Sequence, residues 1–461
     1  MKKMLCRGVL VSAAIAGSAS VLAEPYLPSD PRALGMGGAS TATAEGPNSV
    51  LYNSALASPN MRNYRSGFAF PTLGVSVADR DNFIDAYDDY DDSNVVDRIG
   101  DDIGTFNNTF EMIRARIDDD AYDSNEALES DIALLSNDLG QVSMTQEELE
   151  ERIAAMSDKP LTFDLRGSGS FGTRIGQWGT GLHYQSRAYA GGAFQLDPND
   201  FGLVGSAFDQ ASGIVGCLEE AAEGSDPDQD RLEECRDREL PDDQTVDEFL
   251  SEFQFQGAIL SEFGLTFARD FQIAGREVAF GVTPKVIDVS TFDYVVGVQD
   301  ERDVDIDDRE RSHGSLFNVD LGFAMPIRDD MRIGATVKNL IPETFETIEG
   351  NEIDLEPQVR VGFSWDRRMF TLATDLDLTE NKPMGFGPDT RFLSLGGELR
   401  PLQWLQLRAG YRMNLADSDI IDDVASFGVG FAPGPVRVDL GVASSSREVA
   451  AYMQFGLSFG G

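Results

Sequence analysis

The feature that most constrains the fold is an alternation of apolar residues with polar or small ones, which returns in segment after segment. In one segment Phe163, Leu165 and Phe171 alternate with Asp164 and Arg166. Successive side chains of a β-strand point to opposite faces, so each such segment has one apolar face and one polar face. The pattern predicts fourteen strands, at 67–78, 162–173, 178–196, 254–269, 276–298, 313–326, 330–341, 355–365, 368–379, 390–399, 404–413, 424–432, 436–444 and 450–459.

The connections between these segments alternate in length. A long one at 79–161 is followed by a tight one at 174–177, a second long one at 197–253 and a short one at 270–275. Long loops outside, short turns inside and an even strand count that brings both termini to the periplasmic side are typical of a bacterial outer-membrane barrel. A soluble β-sandwich is the alternative, but it gives no reason for loop lengths to alternate. We therefore expect an all-β chain that forms a 14-stranded antiparallel outer-membrane β-barrel.

The N-terminus has the features of a signal peptide. Lys2, Lys3 and Arg7 precede or flank the apolar stretch 8–22, and small residues lead to a cleavage site after Ala23. A retained anchor helix is the alternative, but the apolar stretch is shorter than the roughly 20 residues that a membrane span needs. No later segment has 18 consecutive apolar residues. We expect export to the outer membrane of a Gram-negative bacterium, where outer-membrane lipid surrounds the chain.

Cysteine usage fits export. Cys6 leaves with the signal peptide, and Cys217 and Cys235 then remain as the only cysteines of the mature chain. Two cysteines in one segment of an exported protein favour a disulfide, and two free thiols are the alternative.

The two long connections differ from the rest of the chain in charge and periodicity. Of the formal charge of −42, residues 81–160 carry 23 acids against 5 bases, and residues 198–252 carry 17 acids against 3 bases. Apolar residues at helical spacing predict helices over 128–139 and 149–156, and Thr145 with Glu148 predicts a capping box that starts the second one. We expect either a pair of helical, negatively charged lids over the outer mouth of the barrel or simply solvated acidic loops. The charge argues against a nucleic-acid partner.

The chain offers little material for catalysis or metal binding. It has two histidines and three cysteines, and no catalytic constellation can be assembled from them. We therefore expect no enzyme and no cofactor. The candidate metal site is a calcium loop with Asp226, Asp228, Asp230 and Asp237 at its first, third, fifth and twelfth positions, but Arg231 stands where the sharp turn needs glycine.

The segment before the first strand carries a recognisable motif. Residues 30–58 read DPRALGMGGASTATAEGPNSVLYNSALAS. This resembles the N-terminal signature of the outer-membrane fatty-acid transporter superfamily, the FadL-type channels for long-chain fatty acids and hydrocarbons. The resemblance implies that residues 24–66 form a plug in the lumen. The plug or gate residues are then the glycines and the polar residues of the motif: Gly35, Gly37, Gly38, Asn48, Tyr52 and Asn53. A static structural plug is the alternative to a gate.

Later segments narrow the resemblance. Residues 338–342 (KNLIP), 375–379 (DLDLT) and 408–412 (RAGYR) are similar to segments of TraF-type conjugal transfer barrel proteins of Gram-negative bacteria. The implied organisation is a signal peptide at 1–23, a plug at 24–66 and a barrel at 67–461 with acidic helical extracellular loops at 79–161 and 197–253. The implied function is a channel for hydrophobic small molecules. The alternative is a surface or assembly component that transports nothing and docks partners through its acidic loops.

Overall fold

The barrel predicted from the alternating segments is confirmed. The computed structural model shows a closed barrel of fourteen antiparallel strands, in which the first strand pairs with the last. The structure describes residues 26–61, 64–79, 81–240, 250–297, 311–346, 352–381, 389–416 and 423–460.

Each of the fourteen predicted segments is a strand of the barrel. The connection between the seventh and eighth of them also contains a small hairpin, β8 and β9, which the sequence did not predict. The strands are β1 Ser66–Asp79, β2 Leu161–Ile175, β3 Trp178–Gln195, β4 Glu252–Ile273, β5 Arg276–Gly297, β6 Arg311–Arg328, β7 Met331–Lys338, β8 Glu343–Glu346, β9 Glu352–Leu355, β10 Gln358–Asp366, β11 Phe370–Asp377, β12 Phe392–Leu402, β13 Leu405–Asn414, β14 Val424–Phe431, β15 Val436–Ser444 and β16 Glu448–Phe459.

The two ends of the barrel differ. Short connections such as 176–177 and 274–275 lie at the end where Ser66 pairs with Phe459, so both ends of the sheet are on this side. We call it the turn end. The opposite end, here the loop end, carries the two long helical insertions and the β8–β9 hairpin.

The outer surface of the barrel is apolar and its inner surface is polar. On β4, the side chains of Phe263, Leu265 and Phe267 are more than 40% exposed, whereas the intervening Glu262 and Thr266 are less than 10% exposed. A soluble sandwich buries its apolar faces, so this inverted pattern excludes it. Large exposed apolar side chains also line the turn end: Ile175, Trp178, Phe271, Trp404, Phe431 and Phe459. They match the aromatic girdle of a membrane barrel.

Helices of the two long insertions pack into one body, which we call the cap. One hydrophobic core joins the helices of residues 83–156 to those of residues 198–236, together with Phe194 and Phe253 on β3 and β4. A disulfide links Cys217 to Cys235. The cap helices are α3 Phe83–Ser93, α4 Val95–Asp118, α5 Asn125–Met156, α6 Pro198–Ala221 and α7 Gln229–Arg236, numbered after two short plug helices, α1 Pro31–Gly35 and α2 Ser49–Tyr52.

The predicted helix start at Thr145 is wrong. Residues Asn125–Met156 form a single helix, and Thr145 is buried in its interior, where its hydroxyl donates to Asp102 on α4. The side chain that the sequence pattern assigned to the N-terminus of a helix is therefore used in packing against α4. The stretch Asn199–Ala221 of α6 is long and apolar enough to cross a membrane, but it packs against α5 and α7 within the cap.

Candidate functional site

Residues 26–61 lie inside the barrel and are buried almost throughout; we call this segment the plug. It contacts the inner wall mainly through glycine. At eight wall glycines the atom nearest to an added Cβ would be a plug atom less than 3 Å away, so a side chain there would force the plug or the wall to shift. This glycine belt comprises Gly179, Gly181, Gly281, Gly322, Gly334, Gly396, Gly410 and Gly441.

The three predicted plug glycines lie against β12, β13 and β14. Gly37 has a φ of +66°, its N–H donates to the hydroxyl of Ser426 at 3.0 Å, and a Cβ there would lie 2.7 Å from the backbone nitrogen of Tyr411. Gly38 has a φ of +94°, and Gly35 lies against the backbone of Gly428. Close approach of two backbones explains why glycine occurs on both sides of this contact.

The predicted polar residues of the plug form hydrogen bonds inside the lumen. Asn48 donates to Gln454 at 2.9 Å and accepts from Ser170 at 2.8 Å, so it joins β16 to β2. Asn53 donates to the backbone oxygens of Thr41 and Phe323 at 2.8 and 2.9 Å.

Tyr52 differs from these two because its hydrogen bonds to the described part of the chain stay within the plug. Its hydroxyl accepts from the N–H of Ser29 at 2.8 Å, and its carbonyl accepts from the hydroxyl of Tyr26 at 3.1 Å. The structure thus brings all six predicted residues to the plug, five of them in direct contact with the wall.

Two wall carboxylates hold the plug backbone, and the sequence analysis missed both. Asp375 on β11 accepts from the N–H groups of Ser40 and Thr41 at 2.8 and 2.7 Å. Near the turn end, Asp270 on β4 accepts from the hydroxyl of Ser58 at 2.6 Å and from a plug backbone N–H at 3.1 Å. The signal was present in the sequence, because an acid at an inward position of an alternating strand needs a partner inside the lumen.

Ion pairs join the plug to β12 and its neighbours. Arg32 of the plug lies 3.0 Å from Glu398, and Arg408 bridges Glu398 and Asp439 at 2.8 and 2.7 Å. These four side chains are almost completely buried. Breaking such a buried pair on one side leaves an uncompensated charge, so the pairs oppose movement of the plug.

Above the plug, toward the loop end, the lumen contains an apolar patch. Inward side chains of β3, β4 and β5 meet there, and Leu355 from the β8–β9 hairpin packs on them. Burial of these residues marks an apolar inner surface outside the plug contact, in a lumen whose other inward side chains are largely polar or charged. We call it the chamber patch; it consists of Tyr189, Ala258, Leu260, Ile287 and Val289, with Leu316 at its side.

A small polar cavity of about 20 Å³ borders the chamber patch. Leu260 and Ile287 of the patch line it together with Gln185, Arg187 and Glu262, and Ser29 of the plug closes it from below. Below this level the plug and its ion pairs occupy most of the lumen. A continuous apolar path, which the channel hypothesis required, is therefore absent from the described part of the lumen while the plug is in place.

The candidate calcium loop does not form, because residues Gln229–Arg236 within it are a helix. Asp228 caps α7 by accepting from the N–H of Arg231 at 3.1 Å, and Asp237 follows the last residue of that helix. Within the described ranges, no group of three or more His, Cys, Asp or Glu side chains is placed to hold a metal ion.

Arginines of the cap are engaged in local pairs. Arg116 pairs with the buried Asp131, which also accepts from the hydroxyl of Tyr122 at 2.5 Å. Burial, together with this hydrogen bond, raises the pKa of Tyr122 above its usual range. On the surface, hydrogen bonds from Arg98 and Arg152 lower the pKa of Glu148. Most acids of the cap have no such partner among the few bases of these insertions, so the cap surface is strongly negative.

Comparison with known proteins gives one family. The family model described as "F plasmid transfer operon, TraF, protein" matches residues 50–377, well over half of the chain. No curated protein matches the sequence.

Solved structures with a similar arrangement are of low sequence identity. The toluene transporter TodX of Pseudomonas putida is 9% identical, with 94% of this chain and 99% of that chain covered at a TM-score of 0.46. A FadL homologue of Pseudomonas aeruginosa is 9% identical, with the same coverage at a TM-score of 0.45. A porin mutant of Rh. blastica is 11% identical and covers 67% of this chain and 95% of that chain at a TM-score of 0.26.

Proposed function

The chain belongs to the family described as the F plasmid transfer operon TraF protein, and we propose that it is an outer-membrane channel for small hydrophobic molecules. The apolar outer surface and the girdle at the turn end support the membrane location. The turn end then faces the periplasm and the cap faces outward. Residues 1–23, which lie outside the described residues, act in this proposal as the signal peptide.

One observation supports an apolar cargo. The chamber patch is apolar, lies inside the barrel and is covered by Leu355, a side chain that belongs to a loop and not to the wall. An apolar molecule that replaced Leu355 would regain about 25 cal/mol for each Å² of apolar surface removed from water. Polar groups of Gln185 and Arg187 beside the patch would orient a polar end of that molecule.

Transport also requires movement of the plug. The plug meets the wall at the glycine belt, so it leaves little space for cargo in the state described. Release toward the periplasm therefore needs the bonds of Asp375 and the ion pair of Arg32 with Glu398 to break. In this proposal the motif residues of the plug act as the gate.

The test has two steps. First, the protein from isolated outer membranes is run on gels with and without boiling, and a mobility shift is expected because a closed barrel resists detergent. Second, uptake of N-phenyl-1-naphthylamine is measured in intact cells that produce the full chain. We expect Leu260→Asn to reduce uptake to the level of the empty vector and Leu260→Met to retain it. Equal uptake by both variants would contradict the cargo site.

A second candidate function rests on the cap. Two loops separated by a strand pair share one hydrophobic core and contain a disulfide, which is more structure than solvated loops need. In this alternative the protein is a surface or assembly component that docks partners on the acidic cap. Replacing residues 81–160 by a short linker would then abolish function while the mobility shift persists, and uptake of the probe by the wild type would equal that of the empty vector.

A further inference from the structure

Glu45 of the plug occupies an unusual position among three arginines. Its carboxylate lies 3.5 Å from Arg32, 3.5 Å from Arg400 and 3.8 Å from Arg437. Among the described residues its side chain makes none of the hydrogen bonds that the neighbouring carboxylates make; Glu398, for example, accepts from Arg32 at 3.0 Å. Glu45 therefore offsets the charge of these arginines without forming a hydrogen bond to any of them.

The arginines retain unused donors. Nη2 of Arg32 is buried and has no hydrogen-bond partner, although Arg32 is only 7% exposed and this atom is the one that faces Glu45. Leaving a buried guanidinium donor unpaired is costly, so a better-fitting acceptor would be favoured there.

The segment that carries Glu45 separates two cavities. Residues 44–46 line both the larger one, of about 140 Å³, and the smaller one, of about 40 Å³. Gly46 has a φ of +61°, and a Cβ added there would have no atom within 4 Å, so there is open space on that side of the backbone beside Glu45. The larger cavity is lined by Asp330 and Asp366 near the turn end of the barrel, and it has room for several waters.

Glu45 also has a second place to go. Arg332 lines the larger cavity, and its buried Nε has no hydrogen-bond partner. A rotation of the Glu45 side chain away from Arg32 and toward Arg332 would exchange one guanidinium environment for another, without exposing a bare carboxylate to an apolar surface. The three arginines would then face only Glu398, Asp439 and Asp366 among the carboxylates paired with them.

We propose that Arg32, Arg400 and Arg437 form a binding site for a small oxyanion, phosphate or carboxylate, which the plug's own Glu45 occupies in the state described. An incoming anion takes the place of the Glu45 carboxylate, accepts from Nη2 of Arg32 and frees the segment 44–46. The site opens toward the turn end, so in a membrane barrel its ligand comes from the periplasm. It is separate from the chamber patch and does not depend on the cargo proposed above.

Phosphate binding to the full chain, purified in detergent, tests the site by isothermal titration with sodium phosphate. Glu45→Gln removes the internal competitor, and we expect it to bind phosphate at least tenfold more tightly than the wild type. Glu448→Gln is the matched control, because Glu448 is another lumenal carboxylate at 3.6 Å from an arginine and its loss changes the charge equally. Arg437→Gln in the Glu45→Gln background is expected to remove the gain.

The outcomes separate cleanly. Equal affinity of Glu45→Gln and Glu448→Gln, or a gain that survives Arg437→Gln, would overturn the proposal. If Glu45→Gln does not fold, the midpoint of thermal unfolding of the wild type is measured instead. Phosphate should then raise the midpoint above that in sodium chloride of equal ionic strength by more in the wild type than in Arg437→Gln, since a ligand of the folded state stabilises it and phosphate acts nonspecifically on both proteins. No difference between the two salts would overturn the proposal as well.

Discussion

The glycine belt can be probed with two neighbouring residues on one strand. Gly396 faces the lumen, where a Cβ atom would lie 2.5 Å from the backbone oxygen of Met36 and 2.8 Å from its Cβ. Gly397 faces outward, where a Cβ would lie 3.5 Å from the side chain of Leu372, an ordinary contact. Gly396→Ala and Gly397→Ala therefore add the same atom to the same strand, on opposite faces of the wall.

The expected magnitude follows from these distances. Carbon atoms in contact prefer a separation of about 3.5–4.0 Å, so the plug around Met36 must move by roughly 1 Å to accept Gly396→Ala. Overpacking of this kind costs about 1–3 kcal/mol. If that cost falls on the plugged state alone, the unplugged population rises by about 5- to 150-fold.

Ion conductance in planar bilayers measures the unplugged population, because the inner wall that the plug covers carries charged side chains and would conduct ions once the plug leaves it. We expect frequent openings for Gly396→Ala and wild-type behaviour for Gly397→Ala, with heat-dependent gel mobility showing that both barrels are closed. Gly396→Val should open still more often. Matching conductance traces for Gly396→Ala and Gly397→Ala, with both barrels intact, would refute the assignment of the belt as the plug contact.

Four further outcomes are expected. Asp375→Asn weakens two charge-assisted bonds to the plug, worth about 1.5–3 kcal/mol each, and should also raise conductance; an unchanged trace would contradict that role. Cys217→Ser should destabilise the cap by about 3 kcal/mol, seen as faster proteolysis of the cap with unchanged gel mobility of the barrel. Raising NaCl to about 1 M shortens the screening length to about 3 Å and weakens the repulsion between the acids of the cap, so the helical circular-dichroism signal should melt at a higher temperature. Because the pKa of Tyr122 is raised in the folded cap, its contribution to the stability of the cap is complete below the usual tyrosine pKa of 10.0 and is lost as the pH rises above that value. Tyr122→Phe should therefore flatten the alkaline decline in stability, and the same decline in both proteins would argue against this role.

The sequence predicted the wall better than it predicted the lumen. Alternation reports which face of a strand is apolar, and this is a local property, so all fourteen strands could be located from segments such as 162–173. The alternation of loop lengths then predicted which end of the barrel carries the short turns and both ends of the sheet. The helix start at Thr145 failed because packing against α4 overrode a local capping pattern.

The contacts of the plug could be predicted only on one side. The motif identified Gly37 and Asn53, but their partners on the wall, such as Gly410 and the carbonyl of Phe323, lie hundreds of residues away. Which inward glycine meets which plug residue depends on the stagger of the strands, and one sequence carries no record of it. Glu45 was missed for the same reason, since its three arginines come from the plug, β12 and β15.

The position of the plug ahead of β1 constrains how the molecule can be built. The seam between β1 and β16 closes the barrel, and it joins the first strand to the last one made. The glycine belt has no room for even a methyl group beside the seated plug, so this contact requires the plug backbone to lie directly on the wall. We expect the plug to lie on the open sheet before the seam forms, because an open sheet leaves access to the belt unobstructed. The same glycines that hold the seated plug therefore also bear on the order in which the barrel is assembled.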